Sequence, residues 1–398
     1  MNKAELLLAT LALLLTVEKL WRLWLVMRFF RRSKPKGGVA PRLVSVLQPV
    51  MGGDPTLRTC LEANVQARTR YPVEFWYLLD VGDETALSLC RELQARYPDR
   101  VAEILLLPPP PDGISPKLFK LAAGQKVSRG DVVCCLDDDT VLLDNSLDTV
   151  LPHLDVPGVG LAFGLPYYKH FGNLWSAYVS CFVNASSLLT YIPYTALCDP
   201  FTINGMFYAV RRETLEAVGG FEAANAVIAD DFGMAHLFRS FGYKLAQTPI
   251  RHPIYTHVRD SGHLRGLLGR WFTFPRESLL RHLSPFERGV ILAMGVTANF
   301  LPVVLFAGAL VVGTKTGWES TALFFAVALA IIYYLNQVYL QQATPLWARV
   351  FLTPLVLLAF PIQMMGALLA PRQRVNWRGN IMEAQKGGGF RFVKRKDE

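Results

Sequence analysis

The chain has 398 residues, 52% of them hydrophobic and 18% charged, with 41 basic against 32 acidic side chains and a formal net charge of +9. Soluble domains carry about 25% charged residues; here the shortfall lies beyond Arg288, while 41–285 is charged throughout, which excludes a purely soluble enzyme, a disordered chain and a fibrous repeat. The basic excess flanks apolar runs, with Arg28, Arg31, Arg32, Lys34 and Lys36 after the first and Lys394, Arg395 and Lys396 at the end, a pattern of membrane anchoring to anionic lipid on the cytoplasmic side that implies no nucleic-acid partner.

In chain order, residues 6–17 are uncharged, and Glu18, Lys19 and Arg22 then fall on one helical face, where Glu18 and Arg22 can pair. Glu18-Lys19-Leu20-Trp21 is no cleavage site, so 1–36 reads as an uncleaved transmembrane anchor with its basic flank. After Gly37-Gly38, short apolar runs at 43–47, 74–79, 102–107 and 132–136 read as buried strands, and 56–70, 85–97 and 116–127 as helices between them. That alternation predicts βαβ units and a mostly parallel sheet, whose ligands bind beyond the carboxyl ends of the strands. Residues 173–194 are rich in aromatics (Trp175, Tyr178, Phe182, Tyr191) and suit either a helix at the membrane interface or a buried core helix. Three uncharged runs follow at 290–313, 321–340 and 350–370, each long enough to span roughly 30 Å of hydrocarbon. The last contains Pro354 and Pro361 and is expected to be bent or re-entrant, with the basic tail from Arg372 on the cytoplasmic side.

Two strand ends carry carboxylates. The run 74–79 leads into Asp80-Val81-Gly82-Asp83-Glu84, and 132–136 into Asp137-Asp138-Asp139. Three consecutive carboxylates after a buried strand repel one another, and hard oxygen ligands of this kind suit Mg2+ or Mn2+ shared with phosphate oxygens. A solvated turn or a helix cap is the other reading. Asp230-Asp231 precedes a helical stretch at 232–241, as a cap or as a general base in a cleft. Arg270-Trp271, flanked by Arg265 and Arg276, reads either as a phosphate clamp or as a basic segment lying on the membrane. Of the six cysteines, adjacent Cys134 and Cys135 should face opposite sides of one strand as small core residues in a reducing compartment. No P-loop, dinucleotide-binding, nucleophile-elbow or zinc-protease motif stands in the required context.

Taken in order, several segments resemble the membrane-bound, inverting family-2 type glycosyltransferases, and more closely their ceramide glucosyltransferase group. Val44-Ser45-Val46-Leu47-Gln48-Pro49 with Gly53-Asp54-Pro55 resembles that group's opening motif, and Ser115-Pro116-Lys117-Leu118-Phe119-Lys120-Leu121 its N-P-K-x-x-N-L. Gly160-Leu161 through Gly164-Leu165-Pro166 is similar to G-L-x-x-G-L-P. Arg211-Arg212, Gly219-Gly220-Phe221 and Ile228-Ala229-Asp230-Asp231-Phe232 resemble the segment bearing the third aspartate, and Asn376-Trp377-Arg378-Gly379 the tail motif.

The resemblance implies an α/β chain: an anchor (1–36), a cytoplasmic GT-A nucleotide-sugar-binding domain (37–285), a bundle of three membrane helices (286–371) and a basic cytoplasmic tail (372–398). It implies that Asp83, with Asp80 beside it, contacts the nucleotide, that Lys117 and Asp138 lie by the sugar-nucleotide, and that Asp137 and Asp139 hold a divalent cation, Mg2+ or Mn2+. Asp231 would be the general base, and Arg270-Trp271 the end of a Q/R-x-x-R-W motif in which Leu267 stands where Gln or Arg is expected. The implied reaction is transfer of a sugar, glucose foremost, from a UDP-sugar to the hydroxyl of a membrane lipid such as ceramide, on the cytoplasmic face of a bacterial plasma membrane. A processive polysaccharide synthase and an inactive membrane scaffold are the competing readings.

Overall fold

The structure is a computed structural model that describes residues 2–32, 35–38, 40–227, 229–277, 279–369, 374–377, 380–385 and 389–394. Lys34, Ile228, Arg372, Arg378, Gly379, Arg395 and Lys396 lie outside the described residues, as does the side chain of Arg276.

A long helix, α1 (Lys3–Phe30), opens the chain, capped by Asn2 and Glu5 in a reciprocal box. The alternation then begins: β1 (Val44–Pro49), α2 (Leu57–Gln66), β2 (Val73–Asp80), α3 (Glu84–Arg96), β3 (Val101–Leu107), α4 (Pro116–Val127) and β4 (Val132–Leu136). All four strands and three helices overlap the apolar runs and helical stretches anticipated from sequence. Beyond α5 (Ser146–Val150) come β5 (Val159–Tyr168), α6 (Leu174–Leu197), β6 (Phe207–Arg211), α7 (Arg212–Ala217), α8 (Asp230–Ser240), β7 (Lys244–Ile254) and α9 (Ser261–Glu277).

Seven strands form one sheet in the order β3-β2-β1-β4-β6-β5-β7. β1 to β4 are parallel, β6 runs against both its neighbours, and β5 and β7 are again parallel to each other. Because β6 is reversed, its first residue Phe207 pairs with Leu136 at the end of β4. The carboxyl ends of β1, β2, β4, β5 and β7 and the entry into β6 therefore share one edge. Side chains alternate across the sheet: Cys135 packs with Leu47, Leu78, Tyr208 and Phe238 on one face, and Cys134 with Val44, Val46, Phe207 and Ala209 on the other. The two adjacent thiols thus belong to opposite cores, as strand periodicity requires.

Among the described residues, three helices are long and apolar enough to cross a membrane: Pro285–Val312, Lys315–Leu340 and Ala348–Ala367. Helix α1 is not among them, since Glu18, Lys19 and Arg22 interrupt its apolar run. It nevertheless packs along the bundle, with Leu8, Ala12 and Leu15 against Leu305, Phe324 and Ala328. The last apolar run is not split into two half-helices: helix carries through both prolines. A π turn over Ala348–Leu352 precedes Pro354, as another over Val296–Phe300 precedes Pro302. A missing amide N–H is absorbed by widening the preceding turn instead of breaking the helix.

Two layers join the sheet to the bundle. Helix α6 buries Leu188, Leu189 and Ile192 among Leu165 and Tyr167 of β5, Val26 and Phe29 of α1, and Ile331 and Ile332. Helix α9 buries Leu264, Leu267 and Leu268 with Leu352, Val356 and Phe360. The aromatic segment at 173–194 is therefore largely a core helix, wedged between sheet and bundle. Within the stretch anticipated as a basic tail, β8 (Arg374–Trp377), β9 (Asn380–Ala384) and β10 (Phe390–Lys394) form a small antiparallel sheet.

Candidate active site

The acidic residues foreseen at the strand ends meet at the common edge of the sheet. Asp137 follows β4, where its backbone N–H donates to the Met206 carbonyl (2.9 Å) just before β6. Lys117 opens α4 behind Pro116, with the Ser115 hydroxyl capping the helix, so its side chain is delivered to this edge. Its ammonium lies 2.7 Å from Asp137 Oδ1, 2.9 Å from Asp230 Oδ2 and 2.8 Å from the Gly205 carbonyl. One buried cation therefore ties the end of β4, the entry into β6 and the start of α8. Gly205 is closely approached: a Cβ there would lie 3.1 Å from Asp231 Cβ and 3.3 Å from Asp230 Oδ2, so a larger residue would press on both carboxylates.

The electrostatics follow from this crowding. Burial opposes the charge of Lys117, but Asp137 and Asp230 outweigh it and hold the ammonium well above its usual range. Asp137 is pushed up to about 6 by burial, with Lys117 opposing the rise and Asp139 and Asp230 adding to it. Asp231 is pushed up to about 7, chiefly by burial and then by the charge of Asp230 beside it. A carboxyl poised near neutrality in a cleft is suited to accept a proton. Tyr191 of α6 borders it; burial lifts that phenol to about 12, and the charge of Asp231 contributes.

The remaining carboxylates divide by direction. Asp138 is almost fully buried and accepts the Met51 N–H (3.0 Å), fixing the loop after β1. Asp139 accepts the Thr256 hydroxyl (2.8 Å), while its carbonyl accepts the Tyr255 N–H (2.8 Å), so the loop after β7 closes on it. Asp83 caps α3 through the Ala86 N–H (3.0 Å) and accepts the Gly52 N–H (2.7 Å). Asp80 pairs with Lys120 (2.9 Å), one turn after Lys117 on the same helix face. Lys120, Thr256 and Gly205 escape a reading of acidic motifs. The P-K-x-x-K spacing at the start of α4 is the signal that puts Lys120 beside Lys117.

Arg270 and Trp271 sit on α9 at the same edge. The Trp271 ring lies 6.3 Å from Tyr168 at the end of β5 and 6.2 Å from Phe182 of α6. Burial pushes the Tyr168 phenol up; the charge of Asp139 adds to this and that of Arg270 opposes it, so both charges border one ring. Leu267, where a polar residue is expected, is buried in the apolar seam between α9 and the helix Ala348–Ala367.

Asp137 and Asp139 offer hard oxygen donors at one strand end. Among the described residues no group of three or more His, Cys, Asp or Glu side chains is assembled to hold an ion. Two carboxylates with the balance of ligands from substrate phosphate is the usual arrangement for Mg2+ and related ions, so the donor set fits such a cation.

A family model described as Glycosyl transferase family 21 matches residues 6–390, nearly the whole chain. The chain belongs to this family. This family-21 glycosyltransferase has a GT-A fold. No curated protein matches it significantly. Among solved structures it is similar to a mannosyltransferase from Pyrobaculum calidifontis in complex with GDP-Man and Mn2+, at 18% identity and a TM-score of 0.51, covering 92% of this chain and 100% of that one. GalNAc-T7 with UDP, GalNAc and Mn2+ aligns at 12% identity and a TM-score of 0.40, over 64% of this chain and 55% of that one.

Proposed function

We propose that this glycosyltransferase moves a hexose, glucose foremost, from a UDP-sugar to the hydroxyl of a membrane lipid of the ceramide kind, with inversion at the anomeric carbon. The observation that carries the reading is Asp231, raised to about 7 at the start of α8 and bordered by the helices that rise from the bundle. In this reading Asp231 takes the proton from the acceptor hydroxyl as the hydroxyl oxygen attacks the anomeric carbon in line. The bond to the UDP oxygen breaks on the opposite face, and a single displacement inverts the centre. Arg270, which borders Tyr168 as Asp139 does, supplies positive charge toward the departing diphosphate, and Trp271 fixes its helix against Phe182. Asp80, Asp83 and Lys120 line the nucleotide side. Asp137 and Asp139 would hold the divalent cation, which supplies charge neutralisation for the diphosphate when bound. Lys117 keeps Asp137 and Asp230 in register across the cleft.

A lipid acceptor also accounts for the way α6 and α9 share their apolar faces with the bundle, which sets the cleft at the membrane surface. The basic residues after α1 support a cytoplasmic side for that surface, in keeping with a bacterial plasma membrane. The burial of Leu267 weighs against a polymer channel at this position.

Membranes containing the protein, given radiolabelled UDP-glucose and ceramide with Mg2+ or Mn2+, should move label into the organic phase. Asp231→Asn should cut turnover by at least about a hundredfold while UDP still binds. Label retained in an insoluble polymer would replace the lipid reading with a polysaccharide synthase. Turnover surviving Asp231→Asn would remove that residue as the base.

A further inference from the structure

The anchor helix holds a buried arginine whose partners are unusual. Arg22 is 1% exposed and paired with Glu18 one turn earlier. Its Nη1 donates to the carbonyl of Leu189 in α6 (2.7 Å), and its Nη2 to the carbonyl of Met294 in the helix Pro285–Val312 (2.9 Å) and to the Thr297 hydroxyl (3.2 Å). Neither carbonyl is an arbitrary choice. Pro193 lies inside α6 four residues beyond Leu189, so the Leu189 carbonyl has lost its regular helical donor. Met294 sits just before the π turn Val296–Phe300, where the helical hydrogen bonding is displaced by one residue. A guanidinium, with five donors in a fixed fork, can hold two backbone oxygens on separate helices at a set distance.

Those two helices converge again at the reaction centre. Tyr194, five residues after Leu189, and Ile291, three before Met294, pack against the cluster containing Ala229 and Phe232, which flank Asp231 closely on either side. The Tyr194 hydroxyl also donates to the Ile291 carbonyl (3.5 Å). The spacing that Arg22 sets between α6 and the Pro285–Val312 helix is thus the spacing of the clamp that seats the start of α8.

We propose that Arg22 is a positioning residue for the transfer reaction, fixing the α6 and Pro285–Val312 clamp around Asp231, so that the N-terminal helix is a working part of the enzyme and not a tether alone. The inference rests on the assignment of Asp231 as the base.

Arg22→Lys tests it in the full-length protein in membranes. The substitution keeps the charge beside Glu18, but the shorter, single-centred ammonium cannot hold both carbonyls. The expected result is a fall in kcat of roughly ten- to a hundredfold, as a small misplacement of a reacting group produces, with UDP affinity within about twofold of wild type by the same measure. Pro193→Ala supplies an N–H to the Leu189 carbonyl and so takes that oxygen from Arg22. Alone it should therefore lower kcat in the same sense, and added to Arg22→Lys it should cost little more, because both substitutions remove one link.

Arg22→Lys with wild-type kcat overturns the proposal, as does an equal loss of UDP affinity, or losses from Arg22→Lys and Pro193→Ala that multiply in the double variant. Should Arg22→Lys fail to fold, Pro193→Ala, which leaves the arginine and its charge in place, tests the link by itself, and a wild-type kcat there overturns the proposal. Asp231→Asn run alongside separates the two assignments: activity retained there removes the base, whereas an inactive Asp231→Asn beside an active Arg22→Lys removes only the positioning role.

Discussion

Asp231 and Asp230 stand side by side at the start of α8, and Lys117 contacts only the latter of the two among its ion pairs. Among the described residues Asp231 has no such ion pair, and burial, then the charge of Asp230 beside it, raises its pKa from the ordinary 3.8 to about 7. Two consequences have opposite signs. As a base Asp231 works deprotonated, so kcat should fall as pH drops through about 7, a limb absent from the residual activity of Asp231→Asn. For stability, the folded protein between pH 3.8 and about 7 holds a proton that the unfolded chain has released, so this group makes the fold less stable as pH rises across that window. Asp231→Asn removes the decline: its melting temperature should exceed that of wild type by a margin that grows from pH 5 to pH 8, and a constant margin would sink the argument. The acidic pair was legible in the sequence as a candidate base or cap. Its asymmetry was not, because it arises from Lys117, which is 113 or more residues away along the chain and arrives through α4.

Elements, more than single residues, were readable from the chain. Four buried parallel strands appear as continuous apolar runs because both faces are covered, and β2 and β4 end where carboxylates begin. The direction of each carboxylate was harder, since β4 stops at Leu136 and the alternation of a strand no longer governs Asp137, Asp138 and Asp139. Turn geometry sends Asp138 to the loop after β1, Asp139 to Thr256 in the loop after β7 and Asp137 to Lys117 of α4. That loop is fitted tightly to α3: a Cβ on Gly52 would lie 2.5 Å from Asp83 Oδ1 and 2.9 Å from Thr85 Cβ. Gly52→Ala should push the loop off the Asp83 cap, costing on the order of 1–3 kcal/mol of stability and weakening UDP binding. Unchanged denaturation and UDP titration curves would show that Asp83 does not organise the nucleotide side.

Across the whole molecule, the boundary drawn from composition at residue 285 is a boundary of hydropathy and not of packing. Tyr168 and Ala177 of the sheet side share a core with Ala348, Leu352, Val356 and Phe360, and Leu165, Tyr167 and Ile192 share another with Val26 of α1 and Ile331, Ile332 and Leu335. A one-dimensional apolar pattern reports that a face is buried but not against what, which is why α6 read equally well as an interface helix or a core helix. Cutting the chain at 285, or starting it at 37, would expose the faces of α6 and α9 that the bundle and α1 now cover. Apolar patches beyond a few hundred Å2 on a soluble protein drive association. The fragment 37–285 should therefore elute from size exclusion as aggregate in detergent-free buffer and lose UDP binding, since Phe182, against which Trp271 rests, then loses its stacking partner Phe360. A monodisperse fragment that binds UDP like the full chain would mean that the catalytic domain is autonomous, and that the lipid reaches it by docking and not through a shared core.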